Sequence, residues 1–257
     1  KAETTQQTQQ QTQTLRRENL KRIRLASTVG FYISIILMVW SPLLIMSFTS
    51  FGGISISYVA FLISLVVPMV VPIIIVLYMI SRAYGNKAIW RNTLYALTAG
   101  VAGMAIYATI LVITEPLINA MNSITGFVVY VRDNEAIVTP PTVASIILKG
   151  IPSIGTAFIM LTAMQIAILM GGWFVYMAYK ELSRSSYMAS FNWAGRLYLV
   201  IAIMTALLST IGLLQAIPPL TPSWGSYHSS FFLFCFVIIY ALSIVSNAFA
   251  AYGYGKL

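Results

Sequence analysis

Histidine, cysteine and acidic side chains are what this sequence has least of: one His, one Cys and six Asp and Glu among 257 residues. Each scarcity removes a class of chemistry. Haem held by two histidines cannot be built from His228 alone, and Cys235 alone supplies neither an iron–sulfur cluster nor an internal disulfide. No glycine loop ending in Lys and Ser or Thr is present to cradle a phosphate. Paired histidines at metal-binding spacing and a Gly-x-Ser-x-Gly nucleophile elbow are also missing. The expectation is a non-enzymatic chain with no cofactor and no metal. His228 stands beside Trp224 and Tyr227 and reads as part of an interfacial aromatic belt.

Charge as a whole is scarce too. A soluble domain is about 25% charged, whereas this chain is 8% charged and 59% hydrophobic, so most of its surface must face something other than water. A hydrocarbon core of about 30 Å needs roughly 20 apolar residues per helix. Six stretches satisfy this, at about residues 25–49, 57–81, 93–114, 154–179, 194–217 and 229–252. Barrel strands would be about half that length and would alternate apolar with polar positions. "FYISIILMVWSPLLIM" and "AFLISLVVPMVVPIIIVLYMI" are apolar on every face. Inside hydrocarbon a helix satisfies its backbone within its own segment. The reading is therefore all-α, an integral membrane bundle of six transmembrane helices over residues 25–257. Pro42, Pro68 and Pro72 predict local kinks, since each removes a backbone donor.

Orientation follows from the basic residues. With six spans the two ends share a side, and that side holds thirteen of the fifteen Lys and Arg: Lys1, Arg16, Arg17, Lys21, Arg22, Arg24, Arg82, Lys87, Arg91, Lys180, Arg184, Arg196 and Lys256. Only Arg132 and Lys149 fall opposite. The positive-inside rule then places both termini in the cytoplasm of a multi-pass cell-membrane protein.

Residues 1–24 divide into a polar tail and a basic juxtamembrane segment. "TTQQTQQQTQT" is low in complexity and has no apolar period, so a disordered tail is expected. In "LRRENLKRIR", Arg16, Arg17, Lys21, Arg22 and Arg24 are expected to meet anionic lipid head groups at about 1 kcal/mol per charge, and no nucleic acid partner is expected. The apolar run after Arg24 exceeds the roughly 7 to 15 residues of a signal peptide, so the first helix is expected to remain as an anchor.

The connection over about residues 115–153 falls on the outer side and is expected to form a small cap between helices 3 and 4. "EPLINAMNSITG" extends the third helix beyond Pro116, "FVVYV" and "AIVT" flank "RDNE" as a possible hairpin, and "TVASIILKG" has the spacing of a helix lying in the interface. Arg132, Asp133 and Glu135 read as a solvated turn. The apolar residues Phe127, Val129 and Tyr130 are too few for a core of their own, so the cap is expected to face a partner.

Small and polar residues within the spans point to packing. Ala96, Ala99, Gly100 and Gly103 on one side of the third span, with Gly171 and Gly172 in the fourth, predict close helix approach. Gln165, Ser209, Thr210, Ser243, Ser246 and Asn247 are the polar residues at depth. They either bond across helices or line a cavity for a neutral solute. No span carries a charge at its centre, as an ion-coupled carrier would.

The segment over residues 171–204, "GGWFVYMAYKELSRSSYMASFNWAGRLYLVIAIM", resembles the central part of uncharacterised archaeal multi-pass membrane proteins. In those, a span ends in a Tyr-Lys-Glu-Leu type turn and a Gly-led span follows. The resemblance covers about the last three spans and implies a six-helix membrane fold with no known activity. The turn "KELSRSSYMASFNW" departs from the Glu-Ala-Ala loop of ATP-driven importer permeases. Two functions remain: a non-catalytic accessory subunit or scaffold that packs against other membrane subunits or its own copies, or a channel or carrier for a neutral or hydrophobic solute.

Overall fold

The computed structural model describes the backbone of residues 2–50, 56–134, 140–215 and 225–257, with side chains over 15–39, 70–110, 156, 159–208, 234–235 and 237–257. Among the described residues there are six helices and no strands: α1 (Ala2–Ser50), α2 (Ile56–Tyr84), α3 (Lys87–Asn134), α4 (Pro140–Ser186), α5 (Ala189–Gln215) and α6 (Gly225–Lys256). Each helix packs on its neighbour in chain order, and α6 returns to α1, closing a ring. Five stretches among these residues are long and apolar enough to cross a bilayer: Leu15–Val39, Lys87–Ile110, Ile159–Ser186, Ala189–Leu208 and Val237–Lys256. Val70–Tyr84 of α2 adds a shorter apolar helix. The protein is an all-helical bundle with the character of a multi-pass membrane protein.

Three local expectations differ from what is observed. Residues 127–131, expected as one arm of a hairpin, and 132–134 of its turn are the last turns of α3, and residues 142–150 belong to the continuous helix α4 rather than to a separate interfacial one. The polar tail is likewise drawn into α1, which begins at Ala2. The physical reason is common to all three. Nucleating a helix is the costly step, whereas extending an existing one adds a hydrogen bond for each residue fixed. The β preference of "FVVYV" is a weak prior that such an extension overrides. Both α1 and α2 run through Pro42, Pro68 and Pro72 without a break in the helix.

Two short turns lie at the same end of the ring as Ala26 and the C-terminal residue. At the first, Gly85 takes the left-handed conformation at φ 68° and its amide donates to the Arg82 carbonyl at 3.3 Å, closing α2. Asn86 then caps α3, its Oδ1 accepting from the Ala88 amide at 3.0 Å. At the second turn Tyr187, at φ 59°, fills the left-handed position that glycine fills at the first. The hydroxyls of Ser183 and Ser186 donate to the Met188 and Leu182 carbonyls, at 2.8 and 2.7 Å.

The main core sits at this end and draws on all six helices: Ala26 from α1, Val76 and Ile80 from α2, Ile89 from α3, Tyr179 and Leu182 from α4, Phe191 and Ala194 from α5, Ala250 and Tyr254 from α6. A string of rings runs through it. Tyr198 and Tyr179 stack at 5.7 Å, Tyr179 and Phe191 at 6.1 Å, and Phe191 meets Tyr254 edge-on at 5.0 Å. Glycines make room for these side chains. A Cβ placed at Gly253 would lie 2.7 Å from the Phe191 ring, one at Gly30 would lie 2.8 Å from that of Tyr254, and one at Gly195 would lie 2.9 Å from Tyr179 Cβ. Such close approach is how membrane helices gain van der Waals contact when lipid competes for every apolar face.

Candidate functional site

The end of the ring that holds the short turns concentrates the polar and charged chemistry of the described chain. Asn86 is its centre. Besides capping α3, its Nδ2 donates to Ser185 Oγ at 2.9 Å and to Glu181 Oε2 at 3.4 Å, and its carbonyl accepts from Ser81 Oγ at 2.8 Å. One residue thus ties α2, α3 and α4 together at the point where the chain turns. Glu181 also holds Arg184 at 2.7 Å, an ion pair with Arg184 largely in solvent and therefore contributing about 1 kcal/mol or less.

Around this knot stands a belt of cations lying over rings. Arg82 lies 5.5 Å from the centre of Tyr78, Lys180 5.5 Å from Tyr176, Arg196 5.2 Å from Trp193 and Lys256 5.9 Å from Tyr252. An aromatic body with a basic head beside it is the pairing favoured where hydrocarbon gives way to head groups. Beyond the belt, Arg16, Arg17, Lys21, Arg22 and Arg24 are exposed along α1, and Arg22 pairs with Glu18 at 3.8 Å. Away from the belt the outward faces are apolar, with Val39, Val101, Ile159, Leu207 and Val237 exposed.

The polar residues at depth that are described make bonds between helices or along one. Asn247, 3% exposed, accepts from Tyr198 Oη at 2.6 Å and donates from Nδ2 to the Ser243 carbonyl at 2.9 Å. Ser246, fully buried, donates to the Ala194 carbonyl at 3.0 Å. Gln165 Nε2 reaches the Ala206 carbonyl at 3.5 Å. The first, third and fourth of these contacts cross between helices, joining α5 to α6 twice and α4 to α5 once. Ser209 and Thr210 lie outside the residues whose side chains are described.

The small residues divide between two seams. A Cβ at Gly171 would lie 3.8 Å from Ala99 Cβ and 4.0 Å from the Ala96 carbonyl, and one at Gly103 would lie 3.5 Å from Ala167, so these four line the contact of α3 with α4. Gly172 turns the other way and seats Ala202 of α5. Gly100, expected with them, is exposed and meets nothing within 4 Å, although it lies only about 60° around α3 from Gly103. At the far end, Phe127, Val129, Tyr130, Arg132 and Asp133 lie in the last turns of α3, with side chains outside the described set, and Glu135 lies beyond the described backbone.

Sequence reading missed Asn86, Gly30, Gly195 and Gly253. The glycines did carry a signal, since each lies within two residues of an aromatic side chain: "GFY", "WAGRLY" and "YGYG". Among the described residues no group of three or more His, Cys, Asp or Glu could hold a metal ion. Comparison with family models, with curated proteins and with solved structures finds no match to this chain.

Proposed function

We propose that the chain is a non-catalytic integral subunit that organises partners within a membrane, with its two short turns in the cytoplasm. The observation that carries this reading is the filled end of the ring. Core residues from all six helices meet there, so polar space for a solute is replaced by packed rings and aliphatic side chains. Asn247, Ser246 and Gln165, the residues best suited to line a path for a neutral solute, are each engaged with α5. The orientation rests on the basic belt and on the sequence count that puts thirteen of the fifteen Lys and Arg on one side of the six spans.

Partner contact is assigned to the far ends of α3 and α4. These helices have 48 and 47 residues, about 70 Å each at 1.5 Å per residue, whereas a hydrocarbon core is about 30 Å thick. The excess length carries the apolar residues Phe127, Val129 and Tyr130, which favours a neighbouring subunit over open water.

The test is purification in mild detergent with identification of the chains that accompany this one. A partner in fixed stoichiometry, or a defined self-association, is expected, and replacing Val129 and Tyr130 by Ser is expected to weaken it. A lone chain that carries a neutral solute into vesicles would overturn the reading in favour of a carrier. Labelling of Thr8→Cys only from outside the cell would invert the orientation.

A further inference from the structure

The α2–α3 hairpin carries a feature that the other belt positions lack: a cation hydrogen-bonded to the aromatic side chain it accompanies, with no anion to meet it. Arg82 Nε donates to Tyr78 Oη at 3.1 Å while the guanidinium lies 5.5 Å from the centre of the same ring. Tyr78 is itself fixed edge-on against Trp90 of α3, with ring centres 4.9 Å apart. The guanidinium of Arg82 is thereby held on the last turn of α2, and exposed Lys87 and Arg91 follow on the first turns of α3, across the short connecting turn.

Among the described residues nothing acidic answers this charge. The chain has no Asp or Glu between Arg24 and Glu115. Glu181, the acidic group that reaches this turn, is engaged with Arg184 and Asn86. Among the described residues the ion pairs are Arg22 with Glu18 and Arg184 with Glu181, and neither involves Arg82, Lys87 or Arg91. A guanidinium fork fixed at the edge of an apolar bundle, with two further cations beside it, matches the phosphate of a lipid whose acyl chains lie along the exposed apolar residues Val71 and Ile75 of α2.

We propose that the α2–α3 hairpin binds one anionic phospholipid, with Arg82 as the positioning group for its phosphate and Lys87 and Arg91 as supporting charges. The site needs the chain to lie in a bilayer but does not depend on any partner or on which leaflet this end faces. Zwitterionic lipid fits less well, because no carboxylate at the hairpin is free to take a choline or ethanolamine cation.

The experiment uses the full chain alone in detergent and follows its thermal unfolding midpoint against dioctanoyl phosphatidylglycerol, dioctanoyl phosphatidylcholine and inorganic phosphate. Saturable stabilisation by the first is expected, with little from the other two. Arg82→Gln is expected to weaken the apparent affinity about five-fold, the equivalent of one surface charge. Arg82→Lys should recover part of the loss, because it restores charge without the fork. Tyr78→Phe should weaken binding in the same direction by releasing the guanidinium. Equal losses for Arg82→Gln and Arg196→Gln would mean diffuse attraction to the whole belt and overturn the site. So would equal stabilisation by phosphatidylcholine, and protection by inorganic phosphate alone would overturn the lipid assignment. Because no partner subunit takes part, none of these outcomes bears on the proposed assembly role.

Discussion

The seam between α3 and α4 and the seam running from α4 through α5 and α6 to α1 are both built on small residues, yet they are built differently. In the first, Ala96, Ala99, Gly103 and Gly171 meet like with like, and a methyl added at a glycine would find ordinary contact distance. In the second, the glycines at 30, 195 and 253 each receive a tyrosine or phenylalanine so closely that a methyl would collide with it. The first seam lets two backbones slide near each other. The second locks side chain to backbone in one arrangement, because a ring set over a glycine fits only one rotation of the two helices. The second seam is also where the interhelical hydrogen bonds of Asn247, Ser246 and Gln165 fall.

Substitutions at single glycines break or sharpen this difference. Gly253→Ala is expected to have the largest effect, a destabilisation of about 1–3 kcal/mol from overpacking, because the Phe191 ring beneath it is fully buried and has nowhere to move. A thermal midpoint in detergent equal to that of the unaltered chain would mean that the rings do not lock this seam. Gly100→Ala should act with the opposite sign. It adds a methyl to open space on an exposed helix face, and the alanine loses less backbone freedom on folding, a gain of about 0.5–1 kcal/mol. A loss of stability there would show that Gly100 touches a neighbour in the membrane. Gly171→Ala is expected to have the smallest effect, within about 0.5 kcal/mol of neutral, since the same entropic gain is offset by crowding at 3.8 Å from Ala99. A clear destabilisation by unfolding measurements would make the two seams alike after all.

These positions also show how far the sequence could be read. The glycines of the α3–α4 seam stood out because Ala96, Ala99, Gly100 and Gly103 cluster in one apolar run, but clustering does not say which side of the helix meets a neighbour. Gly100 and Gly103 are three residues apart, about 300° of helical rotation, and still only one of them lies in the seam. The glycines of the second seam are spread over three helices, and their partners come from other parts of the chain. Tyr254 of α6 and Gly30 of α1 lie at nearly opposite ends of the sequence, and no local pattern announces their meeting.

Asn86 makes the same point for polar residues. Within "AYGNKA" it reads as a turn residue after glycine, and capping α3 is the job such a residue does locally. Its bonds to Glu181 and Ser185 exist only because the second turn is brought alongside the first. The helical course of residues 127–134 and of the polar tail was hidden for another reason. Local preference there favours strand or disorder, and the preference yields to the extension of a helix already formed.

By itself, the sequence determined the helical class, the membrane as solvent and the crowding of cations toward one end. Those follow from hydropathy and charge summed over about twenty residues at a time, and no tertiary contact can reverse a sum that large. Only the tertiary structure decided which glycines receive rings, which residue ties the two turns together and which cation is held without an anion. Each depends on how far a helix is rotated about its own axis, and six helices closed into a ring settle those rotations together.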